Sequence, residues 1–174
     1  MILFLLTGWF MSPDTTLVDF QKESSLQNWY TVDDVVMGGR SNGNFYINDH
    51  GHGEFTGTVS LENNGGFSSL RHVFSQKDVS SYTTISIRLK GDGKSYQFRA
   101  KSERSERYSY TYNFETSGEW QWVEIPMEAM VPTWRGRQLN YPNYPAQKLE
   151  EIGILIGNKK AEKFSLEIDE IRLK

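Results

Sequence analysis

The amino-acid sequence predicts an all-β fold, a jelly-roll or related β-sandwich, with an up-and-down barrel as the alternative. From residue 17 onward, short segments in which apolar and polar residues alternate recur between Gly, Asn and Asp residues, which is typical of antiparallel sheets. Aromatic residues make up 14% of the chain and favour pleated, half-buried surfaces. A chain of 174 residues is long enough to fold as one domain without disulfides or a structural metal.

Two segments in the first half show the clearest alternation. The apolar side of residues 54–62 consists of Phe55, Gly57, Val59 and Leu61. The apolar side of residues 84–90 consists of Ile85, Ile87 and Leu89. Gly91, Asp92 and Gly93 then offer a tight reversal, after which the alternation resumes, so residues 84–101 are predicted to form a hairpin.

Two further strands follow in the second half. One is an aromatic strand whose apolar side consists of Tyr108, Tyr110, Tyr112 and Phe114. The other covers residues 120–125 and ends at Pro126. Because only a short polar turn at residues 116–118 separates them, the two strands are predicted to pair with each other.

The C-terminal part combines a central strand with a bulged one. The continuous apolar run at residues 152–156 suits a strand that is buried on both faces. Alternation over residues 164–168 shifts phase at Asp169 and Glu170, which predicts a β-bulge there. Short helical turns are predicted only at residues 147–151 and 126–130.

Charge and cysteine usage exclude several classes of function. The chain carries 19 basic and 22 acidic side chains, a net charge of −3, and no dense cationic run, so no nucleic-acid partner is expected. With no cysteine, the chain has no thiolate nucleophile and no Cys-ligated zinc. We expect a cytoplasmic location, although the lack of cysteine fits an exported protein equally well.

The apolar N-terminal segment, residues 1–16, has two interpretations. It is too short to span a bilayer, and it lacks the Lys or Arg that precedes the apolar core of a secretory signal. It is therefore either an apolar tail or a signal with a truncated start, and the second alternative would mean export. Residues 17–174 are predicted to form the single domain.

Two glycine-containing segments carry the densest signal for function. Residues 29–41 read WYTVDDVVMGGRS, and residues 63–72 read NNGGFSSLRH. Each Gly pair can shape a loop that exposes its polar neighbours, although Gly and Asn are also the ordinary residues of turns. If the two loops lie side by side at one end of the sandwich, their polar groups form a common surface.

The same segments resemble a known family, the complex I intermediate-associated protein 30 domain. The match covers D-V-V-M-G-G-R-S at residues 34–41 and F-T-G-T-V-S-L-E-N-N-G-G-F-S-S-L-R at residues 55–71. It continues in W-R-G-R at residues 134–137 and through the C-terminal strands, so that it spans about residues 17–173. The resemblance implies a galactose-binding-like jelly roll, and mitochondrial members act as assembly chaperones of respiratory complex I.

Our main hypothesis is a non-enzymatic binding protein whose client is a protein, for example a membrane-complex subunit. Arg and Trp suit such contacts because they combine a large area with directional donors. The candidate contact residues are Asp33, Asp34, Met37, Arg40, Asn63, Asn64, Arg71, Trp134, Arg135 and Arg137. Two structural alternatives stay open: Asp34 and Arg71 could pair inside the fold, and Trp134 could plug the end of the sandwich.

Two other functions are weighed against this one. A carbohydrate-binding module would stack sugars on aromatic rings, and the available rings are Tyr108, Tyr110, Tyr112, Trp120 and Trp122. A hydrolase would use Asp33 with Asp34 or Asp169 with Glu170, but adjacent strand residues point to opposite faces. His50 and His52 supply too few ligands for a metal site, and we assign no metal and no cofactor, with a structural calcium left open.

Overall fold

The computed structural model describes residues 15–22 and 25–174, and in these residues two antiparallel sheets face each other. The six-stranded sheet has the order β3-β4-β13-β6-β9, with β1 paired to β13. Its strands are β1 (Thr15–Asp19), β3 (Asn42–Ile47), β4 (Gly53–Val59), β6 (Thr84–Lys90), β9 (Trp120–Pro126) and β13 (Glu162–Leu173). The all-β sandwich prediction is thereby confirmed.

The second, seven-stranded sheet has the order β11-β10-β8-β7-β12-β5-β2. Its strands are β2 (Trp29–Asp33), β5 (Ser68–Asp78), β7 (Ser95–Lys101), β8 (Ser109–Glu115), β10 (Val131–Trp134), β11 (Arg137–Gln138) and β12 (Lys148–Ile156). Short 3-10 turns lie at Asp34–Met37, Glu62–Asn64 and Met127–Ala129. Because β2 and β10 lie near opposite edges, residues that follow these two strands are far apart on the molecule.

The core fills the space between the two sheets with alternate residues of each strand. In β6, Ile85, Ile87 and Leu89 are wholly buried, as their spacing predicts. In β7, Phe98 and Ala100 are buried in the same way from the opposite sheet. Burial of each large apolar side chain contributes about 1.5–3 kcal/mol, so this alternation holds the sheets face to face.

The C-terminal predictions are also confirmed. Strand β12 lies between β5 and β7, and its apolar run is buried as expected for a central strand. In β13, the pairing with β6 shifts between Ile168 and Glu170, which is the predicted bulge. The extra residue, Asp169, is buried and its carboxylate lies 2.5 Å from the guanidinium of Arg88.

Both predicted hairpins are wrong. Strand β6 belongs to the six-stranded sheet and β7 to the seven-stranded sheet, so the turn at Gly91 crosses between sheets. The same is true of β8 and β9, since β8 pairs with β7 and β10 whereas β9 pairs with β6. Alternation in a sequence shows which residues face the core, but it does not show which strand is the hydrogen-bonded neighbour.

The crossing after β6 is held by the side chain of Asp92. Its carboxylate accepts hydrogen bonds from the Tyr96 hydroxyl at 3.0 Å, the backbone N–H of Ser165 at 3.0 Å and the Lys94 ammonium at 2.7 Å. Tyr96 lies in the seven-stranded sheet and Ser165 in the six-stranded sheet. Asp92 therefore ties the two sheets together at a point where the sequence suggested only a tight turn.

Three local predictions have mixed outcomes. The helical turn at residues 147–151 is wrong, because most of this segment belongs to β12, where β5 and β7 supply the hydrogen-bond partners. The turn at residues 126–130 is confirmed as the 3-10 turn Met127–Ala129. Leu61 is exposed rather than part of the buried side of β4, because that strand ends at Val59.

The N-terminal segment is described only in part. Residues 1–14 lie outside the described residues, while Thr15 and Thr16 pair with Leu173 and Arg172 in the six-stranded sheet. In residues 15–22 and 25–174, the fold includes no helix with the length and apolar character needed to cross a membrane.

We expect Asp92→Ala to lower the free energy of unfolding by about 1–3 kcal/mol, because it leaves the Ser165 N–H without its acceptor and the Tyr96 hydroxyl with only a long contact of 3.4 Å to the Ser165 carbonyl. Urea unfolding followed by tryptophan fluorescence measures this change. Asp49→Ala is the matched control: this carboxylate lies in an exposed turn, and its loss should change stability by no more than about 0.5 kcal/mol. Equal stability of the two variants would contradict the role given to Asp92.

Candidate functional site

The two glycine loops meet around the buried carboxylate of Asp34. One oxygen, Oδ1, accepts a hydrogen bond from the Ser41 backbone N–H at 2.9 Å. The other, Oδ2, accepts from the Ser41 hydroxyl at 2.5 Å and from the backbone N–H groups of Gly66 and Phe67 at 2.6 and 3.2 Å. The prediction that residues 33–41 and 63–71 lie side by side is confirmed, and Asp34 is the residue that joins them.

Glycine is required next to this carboxylate on both loops. A Cβ atom at Gly39 would lie 2.2 Å from Asp34 Oδ1, and one at Gly65 would lie 2.5 Å from Oδ2. Gly38 adopts a φ of 90°, a conformation that side chains with a Cβ rarely take. The paired glycines therefore make room for Asp34 and turn the chain around it.

Burial and hydrogen bonding act on Asp34 in opposite directions. Burial alone raises the pKa of its carboxyl group, since it penalises the charged form. The hydrogen bonds from Ser41, Gly66 and Phe67 outweigh this effect and hold the pKa below its ordinary value of 3.8. Asp34 is thus a charged, fully engaged structural group.

Asp33 has a similar structural role one residue earlier. Its carboxylate accepts hydrogen bonds from the Gly43 N–H at 3.0 Å and from the Ser68 hydroxyl at 2.5 Å. Gly43 lies in the six-stranded sheet and Ser68 in the seven-stranded sheet, so Asp33 also links the two sheets. Neither carboxylate is presented to solvent as a contact group.

The outer surface of the two loops keeps only some of the predicted contact residues. Arg40 and Glu62 form an exposed ion pair of 3.1 Å between the loops. Asn63 and Asn64 have φ values of 56° and 60°, in a region that asparagine tolerates better than most residues. Both residues therefore help to turn the backbone of this loop. Met37 is 59% exposed and is the most accessible apolar side chain of the predicted set.

Arg71 lies away from the loop junction, and its proposed pairing with Asp34 is wrong. It projects from β5 on the outer face of the seven-stranded sheet, where its guanidinium lies 3.7 Å from Oε1 of Glu151. Glu151 also accepts a hydrogen bond from the Tyr30 hydroxyl at 3.4 Å. The sequence did not reveal Glu151 as a partner, because Tyr30, Arg71 and Glu151 lie on three neighbouring strands whose order cannot be read from local spacing.

The segment around Trp134 lies at the far side of the same sheet. The turn between β10 and β11 has positive φ values at Arg135 and Gly136, and the Arg135 guanidinium lies 4.9 Å from the ring centre of Trp134. Trp134 is 42% exposed, so it does not plug the end of the sandwich.

The predicted single patch of glycine loops and Trp134 segment is not formed. Four strands separate β10 from β2, which places the two regions about 24 Å apart across the sheet. They also lie toward opposite ends of the strands. Asp33 pairs with Ser68 at the start of β5 and Thr133 pairs with Ser109 at the start of β8, and these two strands run in opposite directions. Proximity across a sheet depends on strand order, and the sequence did not reveal that order.

Trp134 belongs instead to an open cleft of about 460 Å³ that we call the aromatic cleft. It is lined by Arg107, Tyr108, Trp134, Leu139 and Tyr141. The rings of Tyr108 and Tyr141 are 5.6 Å apart, and Tyr141 is 58% exposed. Tyr141 and Leu139 lie in a stretch without alternation, which is why the sequence did not single them out.

The other rings proposed as sugar platforms have structural surroundings. Tyr110 is buried in the core, and Tyr112 packs against it, as their alternation favours. Trp120 lies beneath Arg88, with a distance of 5.2 Å from the guanidinium to the ring centre. Trp122 is exposed but is flanked by Arg172 at 4.9 Å and Lys174 at 5.3 Å.

The carboxylate pairs proposed for acid and base catalysis are engaged in ion pairs or hydrogen bonds. Asp169 pairs with Arg88, and Glu170 receives hydrogen bonds from the Arg172 guanidinium at 2.5 and 2.8 Å. His52 lies 3.3 Å from a Glu167 oxygen and 3.8 Å from an Asp169 oxygen. These contacts form a polar network around the β13 bulge.

Known proteins are similar to this chain in both sequence and fold. The model of the family described as complex I intermediate-associated protein 30 matches residues 18–168. The mitochondrial complex I intermediate-associated protein 30 of Mus musculus is 26% identical over an alignment that covers 86% of this chain. The chain matches only about half of that relative, 53% of its length.

Solved structures share the fold at low sequence identity. A family 11 carbohydrate-binding module from Clostridium thermocellum, in complex with a β-1,3-1,4-mixed-linked tetrasaccharide, superposes with a TM-score of 0.62 and 20% identity. The match covers 92% of this chain and 94% of the module. An exo-β-agarase matches with a TM-score of 0.58 and 14% identity, covering 92% of this chain and 25% of the agarase. These likenesses establish the jelly-roll fold.

We expect Asp34→Asn to destabilise the protein by about 1–3 kcal/mol at pH 7, because an amide presents one acceptor oxygen and two unwanted donors to four hydrogen-bond donors. The pH dependence provides a second readout. Since the folded-state pKa lies below 3.8, the contribution of Asp34 is complete above that pH and is lost as the pH falls through the folded-state value. Thermal unfolding of the wild type should therefore show an acid-dependent loss that the variant lacks.

Glu62→Gln serves as the control for this experiment. It removes an equal charge from the exposed ion pair with Arg40 and should change stability by less than about 0.5 kcal/mol. If Asp34→Asn were as mild as Glu62→Gln, the two loops would not depend on the buried carboxylate.

Proposed function

Because the chain belongs to the complex I intermediate-associated protein 30 family, we propose that it is a non-enzymatic binding protein that holds a subunit or an assembly intermediate of respiratory complex I. The mouse relative is named for its association with a complex I intermediate. Family membership supports the proposal that this chain acts as a chaperone for a partly assembled membrane complex. Its own partner is the point that experiment must test.

The aromatic cleft is the observation that carries the proposal. It combines Trp134 and Tyr141, both strongly exposed, with the apolar side chain of Leu139 and the cation of Arg107. Trp, Tyr and Arg are enriched among the residues that contribute most to protein interfaces, and a concave apolar site admits side chains of a partner. An exposed Trp that the fold does not need for its core suits this use.

The surroundings of the ionisable groups support a role without catalysis. Asp33, Asp34 and Asp169 are engaged in contacts that hold the fold together. His72 has a pKa lowered to about 4 by burial, and its ring stacks on Trp29 with centres 4.3 Å apart. A histidine of such low basicity under a tryptophan ring is a poor general base at neutral pH.

A glycan is the second candidate ligand, and the same cleft favours it. Exposed aromatic rings are the surfaces on which sugar rings stack, and Trp134 and Tyr141 provide two of them in one concave site. The fold shared with the carbohydrate-binding modules is compatible with this ligand but does not select it. Binding measurements on one pair of variants distinguish the two candidates.

We expect Trp134→Ala to reduce recovery of complex I subunits at least about tenfold when the protein is crosslinked in its source cell and its partners are identified by mass spectrometry. Trp122→Ala is the matched control, because Trp122 is 41% exposed, nearly as much as Trp134, but lies on the other sheet. Recovery of complex I subunits with Trp122→Ala should equal that of the wild type. Equal recovery by both variants, or recovery of no complex I subunit by the wild type, would count against the proposal.

If the cleft binds a glycan, the wild type should bind at least one member of a glycan array that includes the β-1,3-1,4-mixed-linked tetrasaccharide. Isothermal titration with that glycan should show binding to Trp122→Ala and none to Trp134→Ala, because loss of the ring removes the stacking platform. An array without signal for the wild type would eliminate the glycan candidate and leave the protein client.

A further inference from the structure

Three cationic side chains share one region on the outer face of the seven-stranded sheet. Arg71 on β5 and Arg99 on β7 both pair with Gly153 of the central strand β12, one from each side. Lys101 follows on β7, where it lies opposite Glu151 in the register of the two strands. All three alternate with buried core residues of their strands, so they point away from the core. We call this region the basic sheet face.

The carboxylates near the basic sheet face do not balance its cations. Glu151 is buried and interacts with Arg71 at 3.7 Å and with the Tyr30 hydroxyl at 3.4 Å. Within residues 15–22 and 25–174, neither Arg99 nor Lys101 forms an ion pair: Arg99 donates to the Gln97 side chain at 2.7 Å, and the Lys101 ammonium donates to a backbone carbonyl.

The second nearby carboxylate, that of Glu106, is occupied elsewhere. It accepts hydrogen bonds from the backbone N–H groups of Ser102 and Glu103 at 3.0 and 3.4 Å. Its own backbone carbonyl is the acceptor for Lys101. Glu106 thus organises the turn after β7, and Glu151 pairs with Arg71 alone of the two arginines.

Burial and the uneven charge both act on Arg99. Burial and the neighbouring positive charge of Arg71 together lower the pKa of its guanidinium to about 10, while Glu151 opposes the shift. A guanidinium normally keeps its proton under all conditions, so this shift reports strong desolvation and repulsion. An added negative charge at this place would offset the repulsion and stabilise the charged form of the guanidinium.

Glycine at the centre of the basic sheet face lets the side chain of Arg71 lie close to β12. A Cβ atom at Gly153 would lie 2.7 Å from the backbone oxygen of Leu70 and 3.6 Å from Cγ of Arg71. The stem of Arg71 therefore passes over Gly153, on the side of the sheet where Arg99 also lies. The side chain of Arg71 is partly exposed and Tyr30 is exposed, so solutes reach this face.

We propose that the basic sheet face binds an oxyanion, the group that a carboxylate or a phosphate presents, between Arg71 and Arg99. The planar donor forks of two guanidinium groups match the oxygen pairs of such groups, and Lys101 adds a third positive charge. The Tyr30 hydroxyl lies at the rim, where it donates to Glu151. None of these residues lines the aromatic cleft, so this site stands or falls independently of the client proposed above.

Thermal unfolding and isothermal titration with sodium phosphate and with sodium citrate test the proposal, with sodium chloride at equal ionic strength as the reference. Phosphate, citrate or both should stabilise the wild type more than chloride does, and the responding anion identifies the oxyanion class. Arg99→Gln should lower the affinity for that anion at least about tenfold, because it removes a charged donor pair. In chloride alone it should unfold at a temperature equal to or above the wild type, since it removes a repelled cation.

Two further variants separate an oxyanion site from a general charge effect. Glu151→Gln removes the carboxylate that pairs with Arg71, so it should tighten anion binding several-fold although it lowers the stability of the free protein. Lys163→Gln removes an exposed cation from the six-stranded sheet and should leave the anion response unchanged. The proposal is overturned if neither phosphate nor citrate acts more strongly than chloride, or if Lys163→Gln weakens the response as much as Arg99→Gln.

Discussion

The buried carboxylate of Asp34 is the contact on which the arrangement of the two loops depends. Four hydrogen-bond donors, from Ser41, Gly66 and Phe67, converge on its two oxygens, and paired glycines leave the space that it fills. A buried charge is tolerable only when its lone pairs are engaged in this way. The segment that follows β2 and the segment that precedes β5 are thereby held as one unit, and Asp33 adds a link between the sheets.

This junction gives the polar residues of the loops a structural role. Asp33 and Asp34 face inward and hold backbone groups, and Asn63 and Asn64 supply positive φ angles. The accessible chemistry lies elsewhere, in the aromatic cleft at one corner of the seven-stranded sheet and in the basic sheet face at its centre. A rigid sandwich that presents separate apolar and cationic surfaces is suited to binding, because each surface is preorganised by the strands beneath it.

The two faces of the seven-stranded sheet differ in the residues that they carry. Inward residues such as Phe98 and Ala100 pack in the core, while Gln97, Arg99 and Lys101 of the same strand face outward. Alternation thus places a charged row directly behind the core, where neighbouring strands restrict its access to water. The lowered pKa of Arg99 is a consequence of that placement.

Local pattern in the sequence was sufficient to predict the β class, the core-facing residues of β6, β8 and β12, and the bulge in β13, because alternation and phase shifts report directly which face is buried. The motif similarity also predicted the family, and the separate hypothesis that the two glycine loops meet is confirmed by the hydrogen bonds to Asp34. Tertiary structure alone decided strand order: it separated β6 from β7, moved Trp134 to the corner opposite the loops, and brought Arg71 and Arg99 to either side of Gly153. The physical reason is that partners in this sheet come from distant parts of the chain, and a strand's own residues determine its faces but not its neighbours.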